Sequence, residues 1–88
     1  KDYQTNTTNE KIQEEPKILI YPNPAINQLT LNVKTEEVIE YNIISVLGKT
    51  LLSGFVSSDK QIIDISELAS NIYFIKIENQ LIKFLKIK

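Results

Sequence analysis

Several residue types that carry chemistry are missing from this chain. Its 88 residues include no histidine, cysteine, methionine or tryptophan, and all ten of its basic residues are lysines. Without histidine or cysteine, the chain lacks the groups for a Ser-His-Asp triad, a cysteine nucleophile or a zinc site. Its two glycines form no phosphate-binding loop. We therefore expect a protein that is not an enzyme and that uses no metal and no cofactor.

Carboxylates are the remaining catalytic candidates, and their positions argue against that role. Glu36 and Glu37 lie between two predicted strands, whereas Asp64 and Glu67 flank a predicted turn. Acids at such positions usually face solvent or cap backbone N–H groups. The sequence also contains no alternating Asp/Asn loop of the calcium-binding type. We therefore predict no acid/base pair.

Neither a basic field nor a long apolar run is present. Ten lysines face eleven acids for a net charge of −1, and the arginine fork that binds phosphate is missing, so we expect no nucleic acid partner. The longest apolar runs, Ile18–Tyr21 and Ile72–Ile75, are far shorter than the roughly 20 residues of a membrane helix. We expect no integral membrane segment. Residues 1–15 have no signal-peptide core, so a signal for export through the inner membrane would lie elsewhere.

The composition changes near Pro16. Residues 1–16 are mostly polar, with Tyr3 and Ile12 as their large apolar side chains, and are predicted to be a flexible linker. In residues 17–88, short runs of Ile, Val, Leu, Tyr and Phe recur and are separated by Asn, Gly, Ser and Asp. This spacing is typical of an all-β domain.

Seven strands are predicted. The clearest is Gln28–Lys34, in which apolar and polar residues alternate. Seven short antiparallel strands bury their apolar faces as two packed sheets, so the predicted fold is a small antiparallel Ig-like β-sandwich. The other predicted strands are Lys17–Tyr21, Val38–Val46 with a bulge near Ile44, Thr50–Val56, Gln61–Ile65, Ile72–Glu78 and Leu81–Lys88. The predicted core is Leu29, Leu31, Val33, Tyr41, Ile43, Ile63, Ile65, Tyr73, Ile75 and Ile77.

The connections carry specific turn signals. Pro22-Asn23-Pro24 is predicted to end the first strand, because proline fixes φ and donates no hydrogen bond. Gly48 supplies a positive φ in the turn at 47–49, and residues 66–70 are predicted to form one helical or 3₁₀ turn. The last strand is basic and apolar. Its lysines either protect a sheet edge from aggregation or bind a partner.

Three motifs in this order resemble a known family. They are "YPNPAINQLTLNV", "YNIISVLGKTLLSG" and "IDISELASNIYFIKIENQLIKFLKIK". Together they resemble the type A C-terminal sorting domain of the type IX (Por) secretion system of Bacteroidota. The resemblance covers roughly residues 18–88. It divides the chain into a linker at 1–16 and a C-terminal sorting domain at 17–88.

The resemblance implies a function and a set of recognition residues. The domain directs a cargo protein, fused ahead of it, from the periplasm across the outer membrane to the surface or the medium. The implied partners are the outer-membrane machinery, comprising a shuttle and a sortase-like protease that cuts in the linker. The motif positions carried over are Pro22, Asn23, Pro24, Leu47, Gly48, Lys49, Asp64, Ser66, Leu68, Asn71, Ile72, Tyr73, Phe74, Lys83, Lys86, Ile87 and Lys88.

One position departs from the family pattern. Asn71 stands where the family has a glycine, and asparagine tolerates a left-handed backbone better than other residues do. We therefore expect a left-handed turn to be kept at Asn71. The alternative function is a non-catalytic Ig-like spacer or a carbohydrate-binding module of a surface enzyme or adhesin. A sugar binder would need several exposed aromatic residues on one face.

Overall fold

A computed structural model describes residues 17–57 and 59–88, so the predicted linker at 1–16 lies outside the described residues. The described residues form the seven predicted strands and contain no helix. Strand ends differ from prediction by one or two residues. The strands are β1 (Lys17–Tyr21), β2 (Gln28–Lys34), β3 (Val38–Ser45), β4 (Thr50–Ser57), β5 (Lys60–Asp64), β6 (Asn71–Ile77) and β7 (Gln80–Lys86).

The strands form two antiparallel sheets. One sheet has the order β1-β2-β5 and the other has the order β4-β3-β6-β7. Each sheet buries one face, because buried residues alternate with more exposed ones along β2, β3 and β6. The predicted all-β sandwich is therefore confirmed.

The interior lies between the two sheets. All ten predicted core residues are buried, and the sequence analysis missed four others, Ala25, Ile39, Val56 and Phe84. The Phe84 ring packs against the Tyr73 ring, with centroids 5.8 Å apart. This contact joins β6 to β7 inside the core.

The bulge predicted near Ile44 is confirmed by a register shift between Ile43 and Ile44, where β3 pairs with β4. In the regular part of this pairing, Tyr41 lies opposite Gly54. A Cβ atom at Gly54 would lie 2.6 Å from Cζ of Tyr41, so the tyrosine ring occupies the space that a side chain would fill. Burial raises the pKa of the Tyr41 phenol. A glycine in β4 thus lets an aromatic ring lie across the neighbouring strand.

Truncating Leu31 tests the register of β2. Leu31 is fully buried, so Leu31→Ala is expected to leave a cavity and lower the free energy of unfolding by about 2–4 kcal/mol. Urea denaturation of the 88-residue chain measures the change. Leu19→Ala, at an exposed position of β1, is the control and should have little effect. An unchanged midpoint in Leu31→Ala would contradict the inward orientation of this residue.

Adding one methyl group at Gly54 tests the contact with Tyr41. Because the new Cβ would overlap the tyrosine ring, Gly54→Ala is expected to destabilise the domain by about 1–3 kcal/mol. In the background of Tyr41→Leu, the same glycine substitution should be better tolerated. Equal losses in the two backgrounds, measured by thermal unfolding, would refute a steric cause.

Candidate functional site

Most of the residues singled out in the sequence lie at one end of the sandwich. The pairs Tyr21↔Thr30, Gln28↔Asp64 and Ser45↔Tyr73 place the ends of β1, β5 and β3 there. The pair Asn71↔Lys86 adds the start of β6 and the end of β7. We call this end, formed by residues 22–27, 45–50, 64–73 and 85–88, the motif end. Of the predicted recognition residues, Phe74 and Lys83 lie beyond it along their strands.

The proline corner is hydrogen-bonded to the last strand. Both of its proline peptide bonds, Tyr21-Pro22 and Asn23-Pro24, are cis. The Ala25 N–H donates to the Leu85 carbonyl (2.8 Å), and the Ile87 N–H donates to the Ala25 carbonyl (2.9 Å). The Leu85 N–H donates to Oδ1 of Asn23 (3.0 Å). The segment that follows β1 thus pairs with β7, which belongs to the opposite sheet.

This pairing covers only part of the outer edge of β7. Along an antiparallel strand, alternate residues direct their backbone groups to opposite sides. Leu85 and Ile87 bond to the corner, so the backbone groups of Leu81 and Lys83 point toward the same edge, farther from the corner. Among the described residues, the outer edge of β7 is therefore paired at Leu85 and has no neighbouring strand at Leu81 and Lys83.

The lysines of β7 and of the two residues after it differ in their surroundings. Lys83 and Lys88 are exposed, whereas Lys86 is 1 % exposed and its Nζ donates to the Lys88 carbonyl (2.8 Å). Lys86 lies two residues after buried Phe84 and therefore shares its inward face. The alternation along the strand predicts this inward position, whereas the family resemblance had placed Lys86 among the recognition residues. The exposed positive charge of residues 80–88 thus comes from Lys83 and Lys88.

The turn after β3 is held by Ser45, a residue that the sequence analysis did not single out. The Gly48 N–H donates to the Ser45 carbonyl, and the Ser45 N–H donates to the Lys49 carbonyl, each over 2.9 Å. The N–H groups of Leu47 and Lys49 both donate to Oγ of Ser45 (3.2 Å). Gly48 has the predicted positive φ, at 88°. The result is a closely bonded turn with Leu47 projecting from it, 92 % exposed.

Asp64 caps the turn that follows β5. Its Oδ1 accepts hydrogen bonds from Oγ of Ser66 (2.7 Å) and from the Ser66 N–H (2.9 Å), which together lower the pKa of the carboxyl group. The Leu68 N–H donates to the Ile65 carbonyl (3.0 Å). This i→i+3 hydrogen bond closes one turn of the predicted 3₁₀ type at 65–68, which does not continue into a helix. Asp64 thus caps this turn through one of its two carboxylate oxygens.

The expectation of a left-handed backbone at Asn71 is wrong. The non-glycine residues with positive φ in the described chain are Glu78 (55°) and Lys88 (68°). Asn71 instead begins β6, and its Oδ1 accepts a hydrogen bond from the Ile72 N–H (2.8 Å). Two residues later, the Tyr73 hydroxyl donates to the Ala69 carbonyl (2.6 Å). Asn71 and Tyr73 thus anchor the entry to β6 without a left-handed turn.

Comparison of the sequence with known protein families identifies the family of this chain. The sequence profile of the secretion system C-terminal sorting domain family matches residues 19–87. The chain belongs to this family. The match confirms the resemblance to type IX secretion sorting domains and covers all seven strands at least in part. No curated protein and no solved structure matches the chain.

Family membership gives the sorting domain a general role. A type IX C-terminal sorting domain marks cargo for export to the surface or the medium and interacts with the secretion machinery. The described part of the chain has no helix able to span a membrane. Within residues 17–57 and 59–88, no three acidic, histidine or cysteine side chains are grouped as metal ligands.

The described surface of the sorting domain carries several open depressions. One, of about 180 Å³, is lined at the motif end by Asn23, Ile72 and Leu85, with Lys83 and Phe84 beside them. This volume is below the roughly 300–1,000 Å³ of typical small-molecule pockets. Two wider and more open depressions fall within that range, one of about 340 Å³ beside Glu40 and Lys76 and one of about 520 Å³ beside Pro22 and Pro24. Of the described tyrosines, Tyr41 and Tyr73 are buried and Tyr21 is exposed. The tyrosines therefore do not form the shared aromatic face that a sugar-binding module needs.

Removing the Asn23 side chain tests the link between the corner and β7. Asn23→Ala leaves the Leu85 N–H without its acceptor and is expected to lower the free energy of unfolding by about 0.5–1.5 kcal/mol. Hydrogen exchange at the Leu85 amide should also become faster. Asn23→Asp keeps an acceptor oxygen and serves as the control. If exchange at Leu85 is as slow in Asn23→Ala as in the wild type, the bond does not hold the strand.

Proposed function

We propose that the type IX machinery recognises the folded sorting domain through β7. The supporting observation is that β7 is fixed at its end by the corner while its edge stays open at Leu81 and Lys83. An open edge can accept an added strand, whose backbone supplies affinity. A partner strand that pairs there would extend the four-stranded sheet.

In this proposal, Lys83 and Lys88 supply orientation. Both are exposed, and both lie on or next to the strand whose edge is open. Cations beside a binding edge raise the association rate with an acidic partner, and salt weakens the effect. Lys86 has no such role, because its side chain is buried and its amine donates a hydrogen bond to the Lys88 carbonyl.

The chemistry of export belongs to the partners in this proposal. Residues 1–16 act as the linker in which a sortase-like protease cuts, and residues 17–88 act as the signal that brings the cargo to it. The cargo is then attached to a lipopolysaccharide or released. The sorting domain itself takes no catalytic part, consistent with its lack of histidine and cysteine.

Charge reversal at the exposed lysines tests this function. A reporter fused ahead of the 88-residue chain is expressed in a host with type IX secretion and in one lacking it. The wild-type fusion should reach the surface or the medium only in the first host. Lys83→Glu/Lys88→Glu should reduce export at least about tenfold, because repulsion replaces attraction to an acidic partner. Cell fractionation measures the distribution.

The matched control reverses two exposed lysines of the other sheet, as Lys17→Glu/Lys34→Glu, and should be exported normally. Lys86 is left unchanged, because a buried carboxylate there would disturb folding. Circular dichroism of the purified domains checks that both variants fold. Normal export of folded Lys83→Glu/Lys88→Glu would refute the recognition role. Edge protection alone predicts more aggregation with normal export of the soluble fraction.

A further inference from the structure

Leu47 is the most exposed large apolar residue of the described chain. Its side chain is 92 % exposed and follows Val46, which is exposed as well. An isolated exposed leucine on a flexible loop would call for no explanation. Leu47, however, projects from a turn whose backbone is closely hydrogen-bonded.

Ser45 fixes the conformation of that turn before any partner binds. Its backbone bonds to Gly48 and Lys49, and its Oγ accepts the N–H groups of Leu47 and Lys49. An apolar side chain on an ordered backbone loses little conformational freedom when it enters a pocket, so more of its burial energy appears as affinity. This is a favourable setting for a binding anchor.

Other exposed groups lie at the same end of the domain as Leu47. The turn follows Ser45, which pairs with Tyr73, and the next residue of β6 toward this end is Ile72. Ile72 pairs with Leu85, and both side chains are exposed. Lys49 adds an exposed cation two residues after Leu47. The surface thus combines an apolar projection with a positive charge.

We propose that Leu47 inserts into an apolar pocket on a protein of the secretion machinery, and that carboxylates at the rim of the pocket face Lys49. The inference rests on the proposed function and adds a contact separate from the edge of β7. It assigns the exposed leucine of the LGK turn to partner binding, whereas Ser45 and Gly48 shape the turn.

A protein pocket fits these observations better than other occupants do. In a two-fold contact centred on Leu47, a second copy of this chain would place its own Lys49 beside this Lys49, and like charges repel. A bilayer is retained by several apolar and basic groups acting together, whereas one leucine and its neighbouring lysine give little anchoring. A single leucine on an ordered turn instead suits an apolar pocket, on a partner protein, that accepts one side chain.

The test uses the same reporter fused to the full 88-residue chain. Leu47→Ala should lower the rate of export about tenfold, which corresponds to roughly 1.4 kcal/mol of lost binding. Leu47→Met keeps the apolar volume and should be exported close to the wild-type rate. Lys49→Glu should also be slow. Leu19→Ala, a matched leucine that is 49 % exposed on the other sheet, should be exported like the wild type.

The outcomes separate this inference from the proposed function. A wild-type fusion that stays in the periplasm overturns both. Export of folded Leu47→Ala at the wild-type rate overturns the anchor alone. If Leu47→Ala lowers the unfolding midpoint, Leu47→Gln replaces it, since glutamine keeps the length of the side chain but is polar. Folded Leu47→Gln exported at the wild-type rate likewise overturns the anchor.

Two binding measurements cover the other occupants. Wild-type domain that binds phosphatidylglycerol vesicles, with binding lost in Leu47→Ala, would indicate a membrane surface and refute a protein pocket. Wild-type dimerisation in sedimentation velocity, lost in Leu47→Ala, would indicate a second copy and refute it equally. The proposal expects neither effect.

Discussion

The pairing of the proline corner with β7 is the constraint on which the motif end depends. Three hydrogen bonds join Asn23 and Ala25 to Leu85 and Ile87, and Asn23 and Leu85 are 62 positions apart in the sequence. They connect the segment after the first strand to the last strand and so tie one sheet to the other. A domain of this size has a small core, so a backbone link between its sheets contributes much of their fixed relative position.

The same link shortens the part of the four-stranded sheet's edge that is open both to a partner strand and to self-association. An open edge that can bind a partner strand can also bind another copy, and natural proteins limit that risk with charges or coverage. The proline corner pairs with Leu85 and Ile87 at the end of β7. Exposed Lys83 lies on the part of the β7 edge that the corner does not reach. Edge protection and partner binding are therefore compatible roles for one lysine, and they differ in what happens after its charge is reversed.

Local patterns in the sequence predict the strands and the core well, because alternation at period two fixes which side chains face inward. Gly48 and Asp64 were also predictable, since a positive φ and a turn cap are local properties. Contacts between distant segments were not. Nothing near Asn23 indicates that its side chain accepts a bond from β7, and the buried position of Lys86 follows from its phase with Phe84 against the usual preference of a charge. Ser45 was missed because its role in the turn arises from combined hydrogen bonds to three residues, Leu47, Gly48 and Lys49.

Several motif residues use their polar side chains in hydrogen bonds within the domain. Asn23 bonds to Leu85, Asp64 bonds to Ser66, and Tyr73 bonds to Ala69. Buried or engaged groups of this kind contribute to a partner's recognition chiefly through what they hold in place. They hold the end of β7 and the frame of the motif end, beside which Leu47, Lys83 and Lys88 stay exposed. An unfolded chain would present the same three side chains without their relative positions. The proposed recognition of these residues therefore requires that the domain has folded.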